Sequence, residues 1–298
     1  MTTPDLIALG ETMLSFVAID GTLTDATTFQ AVHAGAESNA CVAFAGAGLR
    51  SMWVSRLGTD PPGDRVLAEL AAAGVDVSCV RRDPERPTGL MVRDTQGSVR
   101  YWRAGSAASV LEPGDLEGTP IEEAQAALVT GITALLGPRS QPAAVEFLER
   151  ARGLRAVDPH AREGLWGSDR APALIRPLLD RCDVVLAGEA ELARVLGSTD
   201  HGQRLAAQAT ALGAREVVVK RGARGAAALA PDGTWHDARP TPVDDVDPVG
   251  AGDAFNGTYL AARLSGADVP EALTLGCAAG ADAAGTLGDT GSEARTDA

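Results

Sequence analysis

Short, mostly apolar runs and longer amphipathic stretches take turns along this chain. Residues 6–9, 52–55, 126–130, 155–157, 184–186 and 217–220 are runs of strand length, and residues 39–49, 63–73, 142–152, 190–195 and 203–212 between them have helical character. This alternation predicts βαβ order, hence an α/β fold with a mostly parallel sheet covered by helices. Two regions break the rhythm. Residues 13–33 and 88–110 carry Thr, Val and aromatic residues at a near two-residue period, with Gly and Asp turns between them. They predict strands that leave the main sheet to form a small β lid, placed to keep water from a reaction; a pair of ordinary surface hairpins is the alternative. No internal repeat or low-complexity linker interrupts residues 1–298, which read as one domain, and the polar tail after Asp289 is expected to fray.

The last strong helical stretch, residues 251–266, has only Asp253 and Arg263 as charged residues. Ala251, Ala254, Phe255, Thr258, Tyr259 and Ala262 follow the spacing of one helical face, and Leu260, Ala261 and Leu264 make the opposite side apolar as well. A buried helix is predicted. It opens in Asp247-Pro248-Val249-Gly250-Ala251-Gly252-Asp253-Ala254-Phe255, where Gly250 and Gly252 remove the Cβ atoms that would keep an anion from the free N–H groups of the first turn. Phosphate fits there. The helix start favours an ionised Asp253 and stabilises charge developing on a transferring phosphoryl group, while the carboxylate is placed to take the proton of an attacking hydroxyl. The pattern points to phosphoryl transfer to a hydroxyl; the plainer alternative is that Asp253 caps the turn and the glycines make a tight entry.

Charge narrows the partners. A formal net charge of −14 argues against a nucleic-acid backbone or an anionic membrane. Lys220 is the only lysine among 26 Lys and Arg residues. The apolar runs are far short of a membrane span and no export signal precedes the first strand, so a cytoplasmic protein is expected. Cys41, Cys79, Cys182 and Cys277 are widely spaced and expected to be reduced, buried small residues.

Several further groups carry candidate chemistry, each beside a simpler reading. In Ala34-Gly35-Ala36-Glu37-Ser38-Asn39, polar side chains at a helix entrance next to a glycine can grip a sugar hydroxyl or can only cap the helix. In Ser98-Val99-Arg100-Tyr101-Trp102-Arg103, a strand puts Tyr101 and Arg103 on one face, where Arg103 can fork onto a carboxylate, or else forms a solvated edge. Asp158-Pro159-His160-Ala161-Arg162 follows a strand at its carboxyl end, where open α/β sheets bind ligands; Arg162 contacts phosphate or substrate there, or is a surface residue. Glu189 also follows a strand and can hold a metal through water or serve as a helix-start carboxylate. Lys220-Arg221-Gly222-Ala223-Arg224-Gly225 offers three cations and two glycines to an anionic cofactor, or is a plain hairpin turn. A Walker-type G-x-x-x-x-G-K-[ST], a G-x-G-x-x-G after a strand, an H-E-x-x-H and a G-x-S-x-G elbow are all missing.

With these pieces in this order, the chain resembles the ribokinase-like (PfkB) carbohydrate kinases over nearly its full length, on Gly250-Ala251-Gly252-Asp253 and on the early Gly35 to Asn39 segment. Within that family Pro87-Thr88-Gly89-Leu90, the run from Tyr101 to Ser109 and the run from Asp158 to Trp166 are similar to 2-keto-3-deoxygluconate (KDG) kinases. The resemblance implies a ribokinase-like three-layer sandwich, ATP and Mg²⁺ as cofactors, and a small sugar acid as acceptor. It implies Asp253 as general base, with Gly250, Ala251 and Gly252 forming the anion hole. Substrate would be held by Gly35, Ala36, Glu37, Ser38, Asn39, Tyr101, Arg103, Arg162, Asp253 and Asp289. ATP would lie along His160, Arg162, Lys220, Gly222, Arg224, Gly225, Gly250 and Gly252, with Cys277 near the adenine and Glu189 in the metal-associated acidic position. A homo-oligomer is expected. Ala34, Trp102, His160 and Leu186 depart from the family pattern, in that order replacing a glycine, a tyrosine and two asparagines. A neutral-sugar or nucleoside kinase, and a catalytically idle sugar-binding regulator, are the competing functions.

Overall fold

The computed structural model describes residues 3–160, 170–240, 242–243 and 246–288. Arg162, Trp166, Asp289 and the tail lie outside the described residues. The first half of the chain runs β1 (Leu6–Leu9), β2 (Met13–Ala18), β3 (Phe29–Ala34), α1 (Ala36–Gly46), β4 (Ser51–Gly58), α2 (Pro61–Ala72), β5 (Val75–Asp76), β6 (Val80–Asp83), β7 (Leu90–Arg93) and β8 (Val99–Trp102). The second half runs β9 (Ala126–Thr130), α3 (Gly131–Ala134), α4 (Ser140–Arg150), β10 (Leu154–Asp158), α5 (Ala171–Leu179), β11 (Val184–Gly188), α6 (Glu189–Leu196), α7 (Gly202–Thr210), β12 (Glu216–Lys220), β13 (Ala226–Leu229), β14 (Trp235–Ala238), α8 (Ala251–Leu264) and α9 (Val269–Ala284).

The main sheet has the order β14-β13-β12-β11-β10-β9-β1-β4-β5, with β6 beside β4. From β12 through β5 its pairs are parallel, and the β12–β13 and β13–β14 pairs are antiparallel. Helices cover both faces, which explains why the strands read as unbroken apolar runs. Ile7 and Leu9 join one buried apolar layer with Val129, Phe147 and Val185, whereas Leu6 and Ala8 join the other with Phe44, Leu128 and Tyr259. Successive residues of one strand point to opposite faces, so both sets must be apolar when neither face meets water. This is the layered α/β architecture that the alternation predicts, with the sheet between two helix layers as the resemblance implies.

Residues 13–34 and 90–102 form a separate four-stranded sheet, in the order β3-β2-β7-β8. Its inner face packs Met13, Ala34 and Met91 with Val99 and Tyr101. Trp102 points the other way and is 60% exposed, as the period of two requires.

The buried helix is α8. It packs between α1 and α9, and Phe255 and Tyr259, one turn apart, stack at 5.7 Å. A Cβ on Gly257 would collide with the Ala40 carbonyl, so this glycine lets α1 and α8 approach closely. Tyr259 donates from its hydroxyl to Glu216 at 2.7 Å, and Arg263 closes the same carboxylate at 2.8 Å. Seven elements fall outside the strand and helix segments read from sequence: β5, β6, α3, α5, β13, β14 and α9. Ala226–Leu229 is mostly alanine and lacks the β-branched residues that mark a strand; α9 is rich in Ala and Gly, although Asp268 caps it by accepting from the Glu271 N–H at 2.9 Å.

Candidate active site

Carboxyl ends of parallel strands converge beside the start of α8. Glu11 lies just past β1, Thr130 ends β9, Asp158 ends β10, Gly188 ends β11 and Lys220 ends β12. An open cleft on this side is lined by Gly35, Ala36, Glu37 and Asn39 of the α1 entrance, by Met91, Tyr101 and Arg103 of the lid, and by Glu11, His160, Val249 and Asp253.

Asp253 sits in the first turn of α8 and is 4% exposed. Asn39 donates from Nδ2 to Asp253 Oδ2 at 3.1 Å, and His160 Nε2 lies 3.3 Å from Oδ1. One carboxylate is thereby held from both sides while still facing the cleft. Gly250, the residue before the helix, has φ +86°, a left-handed conformation that glycine adopts without cost. Beyond its own helix turn, a Cβ on Gly252 would meet only Lys220 Nζ, at 3.4 Å, so the space over this turn is roofed by a cation.

Lys220 is fixed by three acceptors: Asp158 Oδ2 at 2.7 Å, Asn256 Oδ1 at 3.0 Å and the Gly252 carbonyl at 3.4 Å. Asn256 returns Nδ2 to Asp158 Oδ2 at 2.7 Å, and Asp158 Oδ1 accepts the His160 backbone N–H at 2.9 Å. Burial pushes the Asp158 carboxyl upward, but the Lys220 and His160 charges and these hydrogen bonds outweigh it and hold the group below the ordinary carboxylate range. His160 has φ +43°, uncommon for a residue with a side chain, and this bend brings its ring to Asp253.

On the opposite side of the cleft, Tyr101 and Arg103 share the lid's inner face, and the guanidinium lies 5.8 Å from the Tyr101 ring centre. Arg103 forms an ion pair with Glu11, which also accepts from Ser106 Oγ at 3.0 Å. Burial raises the Glu11 carboxyl above its usual range against the pull of Arg103.

The remaining candidates have other neighbours. Glu37 Oε1 accepts from Thr130 N, Thr130 Oγ1 and Thr133 Oγ1 at 2.9, 2.8 and 2.6 Å, so it ties α1 to the end of β9 and neither caps a helix nor offers this oxygen to the cleft. Burial raises its carboxyl. Ser38 accepts from Thr12 at 2.7 Å and donates to the Gly35 carbonyl at 3.0 Å. Gly35 is needed for space, because a Cβ would strike the Glu11 carbonyl and Thr12.

Gly222 and Gly225 belong to the β12–β13 connection, where Arg221 donates its N–H to the Gly225 carbonyl at 2.8 Å. All three cations of this loop are paired, Lys220 with Asp158, Arg221 with Asp237 and Arg224 with Glu189. Glu189 also accepts the Gly202 N–H at 2.9 Å, and the two contacts outweigh burial to hold its carboxyl below the ordinary range. Among the described residues no cluster of three or more His, Cys, Asp or Glu could cage a metal. Cys277 is buried, with its thiol 3.8 Å from the Ala238 carbonyl, and all four cysteines are free.

Sequence reasoning missed Glu11 and Asn256. Both had a signal: Glu11 follows the end of a strand as Asp158 does, and Asn256 stands three residues past Asp253 on the same helix face.

Comparison with known proteins settles the lineage. The family profile described as pfkB family carbohydrate kinase matches residues 3–296. The chain belongs to this family. It is 35% identical over 296 residues to a 2-dehydro-3-deoxygluconokinase of Thermoproteus tenax, covering 95% of this chain and 89% of the relative. It is 31% identical to a 2-dehydro-3-deoxygalactonokinase of Haloferax volcanii, over 94% of this chain and 90% of the relative. A ribokinase II of E. coli described as putative, solved in complex with ATP and Mg²⁺, superposes with a TM-score of 0.88 at 23% identity, covering 96% of this chain and 94% of that one. No helix among the described residues of this PfkB kinase is long and apolar enough to cross a membrane.

Proposed function

We propose that this carbohydrate kinase transfers the γ-phosphoryl group of ATP to a hydroxyl of a small keto sugar acid, 2-keto-3-deoxygluconate. The observation that carries the reading is a single cleft with Asp253 and His160 at one wall and Arg103 with Tyr101 at the other, Lys220 being held against the Gly252 carbonyl of the same turn. The relatives' names support the sugar-acid class.

In this mechanism Asp253 accepts the acceptor hydroxyl's proton as its oxygen attacks the γ-phosphorus, and the bond from that phosphorus to the ADP oxygen breaks in line. The N–H groups around Gly250 to Gly252 and the Lys220 ammonium stabilise the charge on the transferring group. Asn39 and His160 hold the base in position. Arg103 meets the substrate carboxylate, sharing its guanidinium with Glu11, and Tyr101 packs beside the sugar chain.

Among the described residues no protein cage for a metal is formed, so Mg²⁺ would be held mainly by phosphates and water, with Glu189 as the carboxylate that would hold it through water. When bound it neutralises charge on the β- and γ-phosphates.

Tyr101 and Arg103 favour the sugar acid over a neutral sugar, since the planar guanidinium on the cleft wall offers further donors to a carboxylate, whereas an uncharged acceptor leaves Arg103 to Glu11 alone. The test is ATP-dependent phosphorylation across 2-keto-3-deoxygluconate, its galactonate epimer, fructose, ribose and a nucleoside. Highest kcat/KM for a keto acid is expected, and preference for fructose, ribose or the nucleoside would overturn the reading. ATP binding without turnover on any of them would point instead to another acceptor class, and no ATP binding to a sugar-binding protein.

A further inference from the structure

Asp247, three residues before Gly250, is 1% exposed, and Arg93 of the lid strand β7 is 2% exposed. Their charged groups meet at 2.6 Å. An arginine almost wholly removed from water is rare, and a buried ion pair adds little net stability over apolar side chains of the same volume. Its placement is therefore better explained by what it joins.

Asp247 Oδ1 accepts the Val249 N–H at 3.3 Å, which shapes the entry to the turn at Gly250. Oδ2 accepts the Gly288 N–H at 3.2 Å, beyond the end of α9. The Asp247 N–H itself is held by the Ala284 carbonyl at 3.0 Å. At the other end Arg93 is firmly seated in the lid. It pairs in register with Val17 and Val99, and the next residue, Asp94, accepts N–H groups of Leu23, Gln96 and Ser98 at 3.1, 3.0 and 2.9 Å. Arg93 lies two residues from Met91 on the same strand face, the face that lines the cleft opposite Asp253.

We propose that Arg93 is a positioning residue: its ion pair with Asp247 locks the lid sheet to the phosphate turn, and so fixes the span between the acceptor wall at Tyr101 and Arg103 and the transfer wall at Asp253. The proposal rests on the reading of residues 249–253 as the phosphoryl site. In-line transfer is sensitive to misplacement on the scale of an ångström, so a slackened span lowers turnover while leaving each half able to bind its own ligand.

The variants are Arg93→Met, Asp247→Asn and the double variant. Arg93→Met alone strands a buried carboxylate and is expected to lower Tm; the double variant removes both charges, keeps an acceptor for the Val249 N–H and is expected to recover wild-type Tm. Amide hydrogen exchange without ligand reads the coupling directly. In the wild type, Val249 and Asp253 on the turn and Asp94 on the lid are expected to exchange as one cooperative unit, with protection factors within threefold. In the double variant they are expected to part by tenfold or more. With the acceptor identified by the panel, kcat of the double variant is expected to fall at least tenfold with KM for ATP within threefold. Independent exchange of turn and lid in the wild type, or wild-type kcat in the refolded double variant, overturns the proposal. A wild type inactive on every acceptor counts against the proposed function, and hydrogen exchange still decides the lock.

Discussion

The two walls of the cleft are built differently. The transfer wall consists of strand ends of the main sheet and the first turn of α8, and its polar groups satisfy one another: Lys220, Asp158, Asn256, His160 and Asp253 form a continuous set of contacts. The acceptor wall is largely the small lid sheet, where Arg103 is tied to the main body through Glu11. Groups held by several partners on rigid elements keep the geometry that phosphoryl transfer needs. A wall made of a four-stranded sheet can change its side chains and alter the acceptor without disturbing the transfer machinery. On the proposed function, chemistry and specificity would reside in separate pieces of the chain.

The strongest way to break this division is at the base. Asp253→Asn removes the proton acceptor and leaves the backbone N–H groups and Lys220 in place. A fall in kcat of about 10³-fold is expected, within the range of general-base losses, with ATP affinity in a binding titration changed only a few-fold. Near-normal turnover in the purified variant would end the assignment of Asp253.

Lys220→Met probes the support behind that wall. It leaves Asp158, which is fully buried, without its ammonium partner and is expected to cost about 3 kcal/mol of stability at neutral pH. The sign with pH follows from the lowered carboxyl of Asp158: stability from a depressed carboxylate is present above the unfolded value and is lost as pH falls through the folded one. The gap in Tm between variant and wild type should therefore narrow as pH falls toward the acid range. A gap that is constant with pH would show that Asp158 does not depend on Lys220.

Glu37→Gln sharpens the contrast more gently, because Glu37 joins α1 to β9 outside the transfer set. Its carboxyl is raised by burial, so its contribution is full below the unfolded value and is lost as pH rises through the folded one. Glutamine does not titrate and can still accept from both threonines. Denaturant unfolding is expected to show the variant gaining on the wild type from pH 5 to pH 8, by on the order of 1 kcal/mol. A difference that shrinks with rising pH would contradict this.

Much of the transfer wall was legible because its signals are local. Gly250, Gly252 and Asp253 sit in one short motif at the head of an apolar helix, and Asp158, Glu189 and Lys220 each follow an apolar run that had to be a strand. The lid was legible from its alternation at Met13–Ala18 and Val99–Trp102. What escaped notice joins distant segments. Glu11 meets Arg103 and Arg93 meets Asp247 only once the lid has folded over the main sheet, and no local pattern encodes such pairs. Glu37 misled for a related reason: a carboxylate at a helix entrance looks like a cap or a ligand group, and its threonine partners lie more than ninety residues away. β13 was hidden by alanines that carry no strand signal.

The central claim is that Arg103, on the lid, recognises an acceptor carboxylate while the opposite wall performs the transfer. Its most direct test is the ratio of kcat/KM for 2-keto-3-deoxygluconate to that for a neutral sugar, in wild type, Arg103→Lys and Arg103→Met. Lysine keeps the charge and loses the planar fork, so KM for the keto acid is expected to rise at least tenfold, about 1.4 kcal/mol, with KM for ATP little changed. Methionine is expected to lower the ratio further while leaving any activity on the neutral sugar nearly intact. A ratio unchanged across all three proteins would contradict the account, because it would mean that the guanidinium beside Glu11 serves the lid alone.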